Sequence, residues 1–169
     1  MSVGQELTEH LDELYARLGH GLIVAETGCI RSIDPPVEDS DGWSTLHIAR
    51  WVASHPGSFL HSIELHPDNV IKAGRILGEK GIPADLFDFY QGESVDGLQQ
   101  LDRIDFAYLD TSDDLAHGLA EFEIAEEKNA QMIVMDDRET KGLAALAYAK
   151  QSGRWDVEER ARQVIMRRR

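Results

Sequence analysis

A doubly wound α/β domain is predicted by three observations. Short apolar runs alternate with helix-length amphipathic stretches along most of the chain, and polar residues cluster where the apolar runs end. The last two apolar runs are separated by too few residues for a helix. Parallel strands need long crossovers, so the alternation implies right-handed β-α-β units with helices on both sheet faces, and the short final connection implies a hairpin.

The elements follow in order. Leu7, Leu11, Leu14, Tyr15 and Leu18 recur at spacings of three and four, which predicts an amphipathic helix over 5–18 within an N-terminal segment 1–19 that Gly19 and Gly21 close. Residues 21–25 form a brief β-branched run bounded by glycines, the mark of a buried strand. Pro35, Pro36, Asp39, Ser40, Asp41 and Gly42 then predict a long loop. Ser44 or Thr45 is placed to cap a helix through Leu46, Ile48, Ala49 and Val52 that ends at Pro56 and Gly57. Strands are expected over 59–64, 84–90, 104–110 and 132–136. Helices are expected over 67–80, 95–101, 113–128 and 140–151. Residues 155–160 and 163–168 read as the C-terminal hairpin (153–169), adding an antiparallel element after five parallel strands, about seven in all.

Composition narrows the class. With 169 residues, 42% hydrophobic and 28% charged, the chain (1–169) fits one globular domain able to bury its own core. A formal charge of −14 repels polyanions, which argues against nucleic acid. The basic end Arg167, Arg168 and Arg169 reads as a solvated strand terminus. No run of 18 apolar residues or signal-like segment is present, so no membrane partner and a cytoplasmic setting are expected. The single cysteine, Cys29, agrees with a reducing compartment.

Ligands of open α/β sheets bind beyond the carboxyl ends of the strands. The polar residues at those ends are Glu26, Thr27 and Gly28; Glu64; Gln91, Gly92, Glu93 and Ser94; Asp110; and Asp136 with Asp137. A carboxylate closing an apolar strand is expected to accept hydrogen bonds, and Glu64, after the second strand, is placed to accept both hydroxyls of an adenosine-type ribose. The first turn lacks Gly-x-Gly-x-x-Gly, so a dinucleotide pyrophosphate is not supported; a phosphate-free ligand such as S-adenosylmethionine needs fewer backbone donors there.

Asp110, Asp136 and Asp137 end two neighbouring strands, where like charges repel. Either one is protonated, a cationic side chain pairs with them, or a hard divalent cation is bound. Magnesium, calcium or manganese suits an oxygen-only set. Asp137 and Asp110 are alternatively readable as caps of the helices that follow. Arg138 is the one cationic residue directly beside any of the three in sequence. His47, His55, His61 and His66 show no metal-ligand spacing and read as structural or exposed, Cys29 reads as a small apolar filler, and Ser44 lacks a nucleophile elbow.

The segments VAETGCIR (24–31), DGWSTL (41–46), SIELHP (62–67), YQGES (90–94), IDFAYLD (104–110) and IVMDD (133–137) together resemble the class I S-adenosylmethionine-dependent methyltransferases, most closely the catechol-type and related small-molecule O-methyltransferases. The resemblance runs from about Leu22 to the C-terminus. It implies a Rossmann-like sheet in which Glu26, Thr27, Gly28, Ser44 and Thr45 surround the methionine part of the cofactor. Glu64 would hold the ribose, Glu93 and Ser94 the adenine, and Asp110 would border both cofactor and acceptor. It further implies Asp110, Asp136 and Asp137 as ligands of Mg2+ or another divalent cation, with Asp110 and Asp136 in the catalytic role. Where the catechol-type pattern carries a lysine three residues after the metal aspartate, this chain has Asp113. The resulting expectation is O-methylation of a small-molecule acceptor, with a homodimer left open; the alternatives are a non-catalytic S-adenosylmethionine-binding module and, behind it, a nicotinamide-dependent oxidoreductase.

Overall fold

The computed structural model describes residues 3–30 and 43–169. The expected loop through Pro35, Pro36, Asp39, Ser40, Asp41 and Gly42 lies outside the described residues.

The elements are α1 (Val3–Leu18), β1 (Ile23–Thr27), α2 (Ser44–Ser54), β2 (Phe59–Glu64), α3 (Pro67–Glu79), β3 (Phe87–Gln91), α4 (Ser94–Gln100), β4 (Phe106–Leu109), α5 (Leu115–Glu127), β5 (Met132–Met135), α6 (Gly142–Ser152), β6 (Trp155–Glu159) and β7 (Val164–Arg168). The strands form one seven-stranded sheet in the order β3-β2-β1-β4-β5-β7-β6. β1 pairs in parallel with both β2 and β4, and β5 adds in parallel to β4.

Alternation along each strand divides the core in two. Phe106 and Tyr108 of β4 point with Val24, Leu60 and Val134 into a layer under α1, α2 and α3, where Leu7, Leu11, Leu14, Leu46, Val52 and Leu77 are buried. Ala107 and Leu109 point the other way with Ile63, Ile133 and Met135, under α4, α5 and α6, onto Leu98, Phe122 and Ala145. Helices on both faces of a parallel sheet are what the alternating pattern demanded.

Among the differences from expectation, two element starts and the order of the hairpin strands have local reasons. β3 begins at Phe87 because the backbone turns at Pro83, where the Leu86 N–H donates to the Pro83 carbonyl. α6 begins at Gly142 because the Asp137 carbonyl accepts from both the Thr140 and Gly142 N–H groups, closing a turn ahead of the helix. In the C-terminal hairpin it is β7 that pairs with β5, antiparallel, and β6 takes the outside position. The antiparallel strand therefore sits one in from the edge, wholly apolar at Val164, Ile165 and Met166.

Sheet order reverses between β1, whose crossover leads to β2, and β4 on its other side. The carboxyl ends of these two strands meet there: the Asp110 N–H donates to the Thr27 carbonyl at 3.0 Å, and the Gly28 N–H to the Ile63 carbonyl at 2.8 Å. Gly28 turns the chain with φ of 84°, a conformation that costs a side-chain-bearing residue but not glycine. No helix among the described residues is long and apolar enough to cross a membrane.

Candidate functional site

A cavity of about 360 Å³ opens at this reversal point, walled by Gly28, the Glu64–His66 turn with Asn69, the Gly92–Ser94 turn, Asp110–Ser112 and His117. Its position is the one that the topology of an open α/β sheet reserves for ligands.

Glu64 is buried at the end of β2, with both carboxylate oxygens fixed: Oε2 accepts from the Cys29 N–H at 3.2 Å and Oε1 from the His66 N–H at 2.8 Å. A carboxylate offers about four lone-pair directions, so two remain for a ligand while the backbone holds the group still. Beside it Leu65 leaves an apolar side chain half-exposed at the cavity wall. The acidic wall residues are Glu64, Glu93 and Asp110, and among the described residues of the wall His66 and His117 carry the ionisable nitrogens.

Of the nine residues expected around a cofactor, Gly28, Glu64, Glu93, Ser94 and Asp110 line the cavity. Glu26, Thr27, Ser44 and Thr45 are buried and do not line it. Glu26 is fully buried, accepting from Ser44 Oγ at 2.5 Å and Ser62 Oγ at 2.8 Å. Burial pushes its carboxyl up to about 7, the two hydroxyls offsetting part of that effect. Ser44 is thus not the cap of α2. Trp43 holds that position without a side-chain hydrogen bond, because the Ser44 hydroxyl is committed to the buried carboxylate. Thr27 Oγ1 accepts from the Asp110 N–H, and Thr45 Oγ1 is buried with no hydrogen-bond partner among the described residues.

Asp110, Asp136 and Asp137 do converge: one carboxylate oxygen of each lies within 4.8 Å of the others. They do not serve as side-chain caps. Asp114 caps α5, accepting from the His117 N–H, and Lys141 occupies the N-cap of α6 without capping it. Two cations from distant segments reach the cluster. Lys141 Nζ lies 2.7 Å from Asp110 Oδ1 and 3.6 Å from Asp137 Oδ2, and Arg162 lies 2.7 Å from Asp136 Oδ2. Asp136 keeps its other oxygen, Oδ1, buried and without a hydrogen bond among the described residues. Its carboxyl is pushed up to about 6, chiefly by burial and then by the Asp110 charge, with Arg162 pulling the other way. Asp137 adopts φ of 52°, a left-handed conformation that aspartate tolerates better than most residues.

Three contributors could not be found by reading strand ends. Lys141 is one; Arg162, on the turn between β6 and β7, is another. The third is His117, whose Nε2 sits 2.8 Å from Ser94 Oγ and 3.5 Å from the fully buried Glu121, which also accepts from Thr111 Oγ1. That hydrogen bond to Glu121 raises the imidazole above its ordinary range. His66, read from sequence as structural, also lines the cavity, while His61 pairs with Asp88 away from it. Cys29 is buried, and desolvation pushes its thiol far up, which fits the filler reading.

Close helix contact is what buries Lys141. A Cβ on Gly118 of α5 would lie 2.7 Å from the Lys141 carbonyl oxygen and 2.9 Å from its Cβ. Gly118→Ala is therefore expected to cost about 1–3 kcal/mol of stability by overpacking. Gly74→Ala in α3, where the nearest atom is 3.8 Å away, should instead stabilise by about 0.5–1 kcal/mol through helix propensity. Denaturant unfolding of the two variants checks both signs.

No protein-family model and no curated protein sequence matches the chain. Solved structures do. Cofactor-bound Rv0187 from MTB superposes with a TM-score of 0.71 at 19% identity, over 100% of this chain and 81% of that one. The chain has the class I methyltransferase fold. A putative O-methyltransferase from Klebsiella pneumoniae superposes at 0.70 and 15% identity, over 99% and 81% of the two chains. The MycE methyltransferase of the mycinamycin biosynthetic pathway, in complex with Mg and SAH, superposes at 0.61 and 14% identity, over 95% of this chain and 48% of that one.

Proposed function

We propose that the chain, 1–169, acts as one S-adenosylmethionine-dependent methyltransferase unit that methylates a hydroxyl of a small-molecule acceptor. The observation that carries this reading is the charge of the cavity at the sheet's reversal point. Glu64 and Glu93 make it acidic, with Asp110 beside them partly offset by Lys141, which suits a cationic sulfonium and opposes a pyrophosphate. A nicotinamide dinucleotide is disfavoured on the same ground. The fold's neighbours supply the wider context: they include the MycE methyltransferase and a putative O-methyltransferase from Klebsiella pneumoniae.

The residues fit the cofactor. Glu64, held by two backbone donors, retains acceptor capacity for ribose hydroxyls, Leu65 offers an apolar face to a purine, and Glu93 and Ser94 border the same end. When bound, S-adenosylmethionine supplies an electrophilic methyl group on a sulfonium. The chain's own part is to hold the acceptor oxygen in line and to lower the cost of its deprotonation. Asp110 is the one member of the aspartate cluster on the cavity wall, which makes it the residue to accept the acceptor's proton or to orient its hydroxyl.

The aspartate cluster also fits a hard divalent cation in donor type and spacing, and the partnerless Asp136 Oδ1 is the kind of buried acceptor that such an ion satisfies. Asp110, Asp136 and Asp137 would hold it, and it would supply Lewis acidity toward the acceptor hydroxyl.

Transfer of labelled methyl from S-adenosylmethionine to a panel of small hydroxylated acceptors tests the reading. Asp110→Asn should lower kcat/KM by about a hundredfold or more while S-adenosylhomocysteine still binds. Undiminished transfer in this variant removes Asp110 from the chemistry. Tight cofactor binding with no acceptor methylated would favour the non-catalytic module.

A further inference from the structure

We propose that Lys141 is a tethered counter-ion that competes with a divalent cation for Asp110, so that the aspartate cluster takes a metal only when the ammonium is displaced. The inference rests on reading the three aspartates as a cation site.

Three carboxylates without positive charge would form a strong hard-cation site. Here two side-chain cations already face them, Lys141 on Asp110 and Asp137, and Arg162 on Asp136. The two differ in freedom. Arg162 is 48% exposed, so its guanidinium has a route to solvent. It compensates the buried Asp136 at 2.7 Å and lies 3.7 Å from Asp137, and a divalent ion on Asp136 would take over that compensation. Lys141 is 0% exposed. Its backbone is held against Gly118 of α5, and its ammonium also donates to the Thr111 carbonyl at 3.5 Å.

An ion bound to Asp110 would therefore meet a buried like charge that has no solvent route out, and displacing that ammonium would strand it away from the carboxylates that compensate it. Lys141 and the ion thus use the same oxygen, and occupancy by one disfavours the other. The pairing with Asp137 is an i,i+4 contact, but the one with Asp110 spans 31 residues and depends on the fold.

Mn2+ binding followed by its EPR signal tests this without reference to catalysis. Wild type should bind Mn2+ only weakly, in the millimolar range. Lys141→Met should bind it at least about tenfold more tightly, because one buried positive charge has left the donor set. S-adenosylhomocysteine titration on both chains confirms that the cofactor cavity is intact. Equal Mn2+ affinity in the two chains overturns the competition while sparing the cation site. Absence of binding in both overturns the cation site and the competition with it. Lys141→Gln, which keeps a hydrogen-bond donor, carries the same comparison should the methionine variant not fold. Micromolar Mn2+ binding by wild type overturns the competition on its own.

Discussion

Glu64→Ala is expected to abolish most of the thermal stabilisation that S-adenosylhomocysteine gives the wild type. The carboxylate sits at the end of β2 with two backbone N–H groups fixing its oxygens, and its remaining lone pairs face the cavity. Hydrogen bonds to a charged acceptor are worth about 1.5–3 kcal/mol, so the loss should weaken binding by about 10–150-fold. At a ligand concentration a hundred times the wild-type Kd, stabilisation of about 2.7 kcal/mol should fall below about 1.4 kcal/mol. Because the Cys29 and His66 N–H groups also lose their acceptor, the unliganded variant should melt earlier, and each chain is compared with its own ligand-free Tm. Glu64→Gln keeps one acceptor oxygen and should fall between. An undiminished shift in Glu64→Ala would take the ribose away from this residue.

The second large effect concerns Glu26 and carries a sign. Its carboxyl, buried and held by Ser44 and Ser62, titrates at about 7 in the folded chain against 4.5 ordinarily. A pKa raised by folding means that the folded state prefers the protonated form. The associated stability is fully present below about pH 4.5 and is lost as pH rises through about 7. The difference corresponds to about 3 kcal/mol. Glu26→Gln keeps an acceptor for one serine hydroxyl, presents an amide donor to the other, which can turn to accept, and removes the ionisation. It should raise Tm by several degrees at pH 8 and change it little at pH 5. Melting curves across that range measure the effect directly. A variant that is equally destabilised at both pH values would show that Glu26 is ionised and compensated at all pH, contrary to its burial among hydroxyl side chains and near the Asp110 charge.

Much of this could be read from the chain because the determining signals are local. Strand ends follow from where apolar runs stop, and Glu64, Glu93, Ser94 and Asp110, read at such ends, all line the cavity. The convergence of Asp110 with Asp136 and Asp137 followed from the adjacency of β4 and β5. What escaped is non-local. Lys141, four residues after Asp137, reaches Asp110 only through the fold, as Arg162 of the β6–β7 turn reaches Asp136. His117 meets Ser94 across the contact between α5 and α4. Ser44 looked like a helix cap because serine before an apolar run usually is one; its hydroxyl is taken by a carboxylate 18 residues earlier, a competition visible only in three dimensions. The hairpin was legible as two strands with a short link. Which of them would join β5 was not, since both carry apolar residues.

Calorimetric titration of the wild-type chain with S-adenosylhomocysteine, run against a nicotinamide dinucleotide under the same conditions, tests the central claim most directly. The acidic, phosphate-hostile cavity at the junction of β1 and β4 should bind S-adenosylhomocysteine with one site per chain and leave the dinucleotide without measurable heat. Binding of the dinucleotide with none of S-adenosylhomocysteine would contradict the assignment of this cavity to a methyl-donor cofactor.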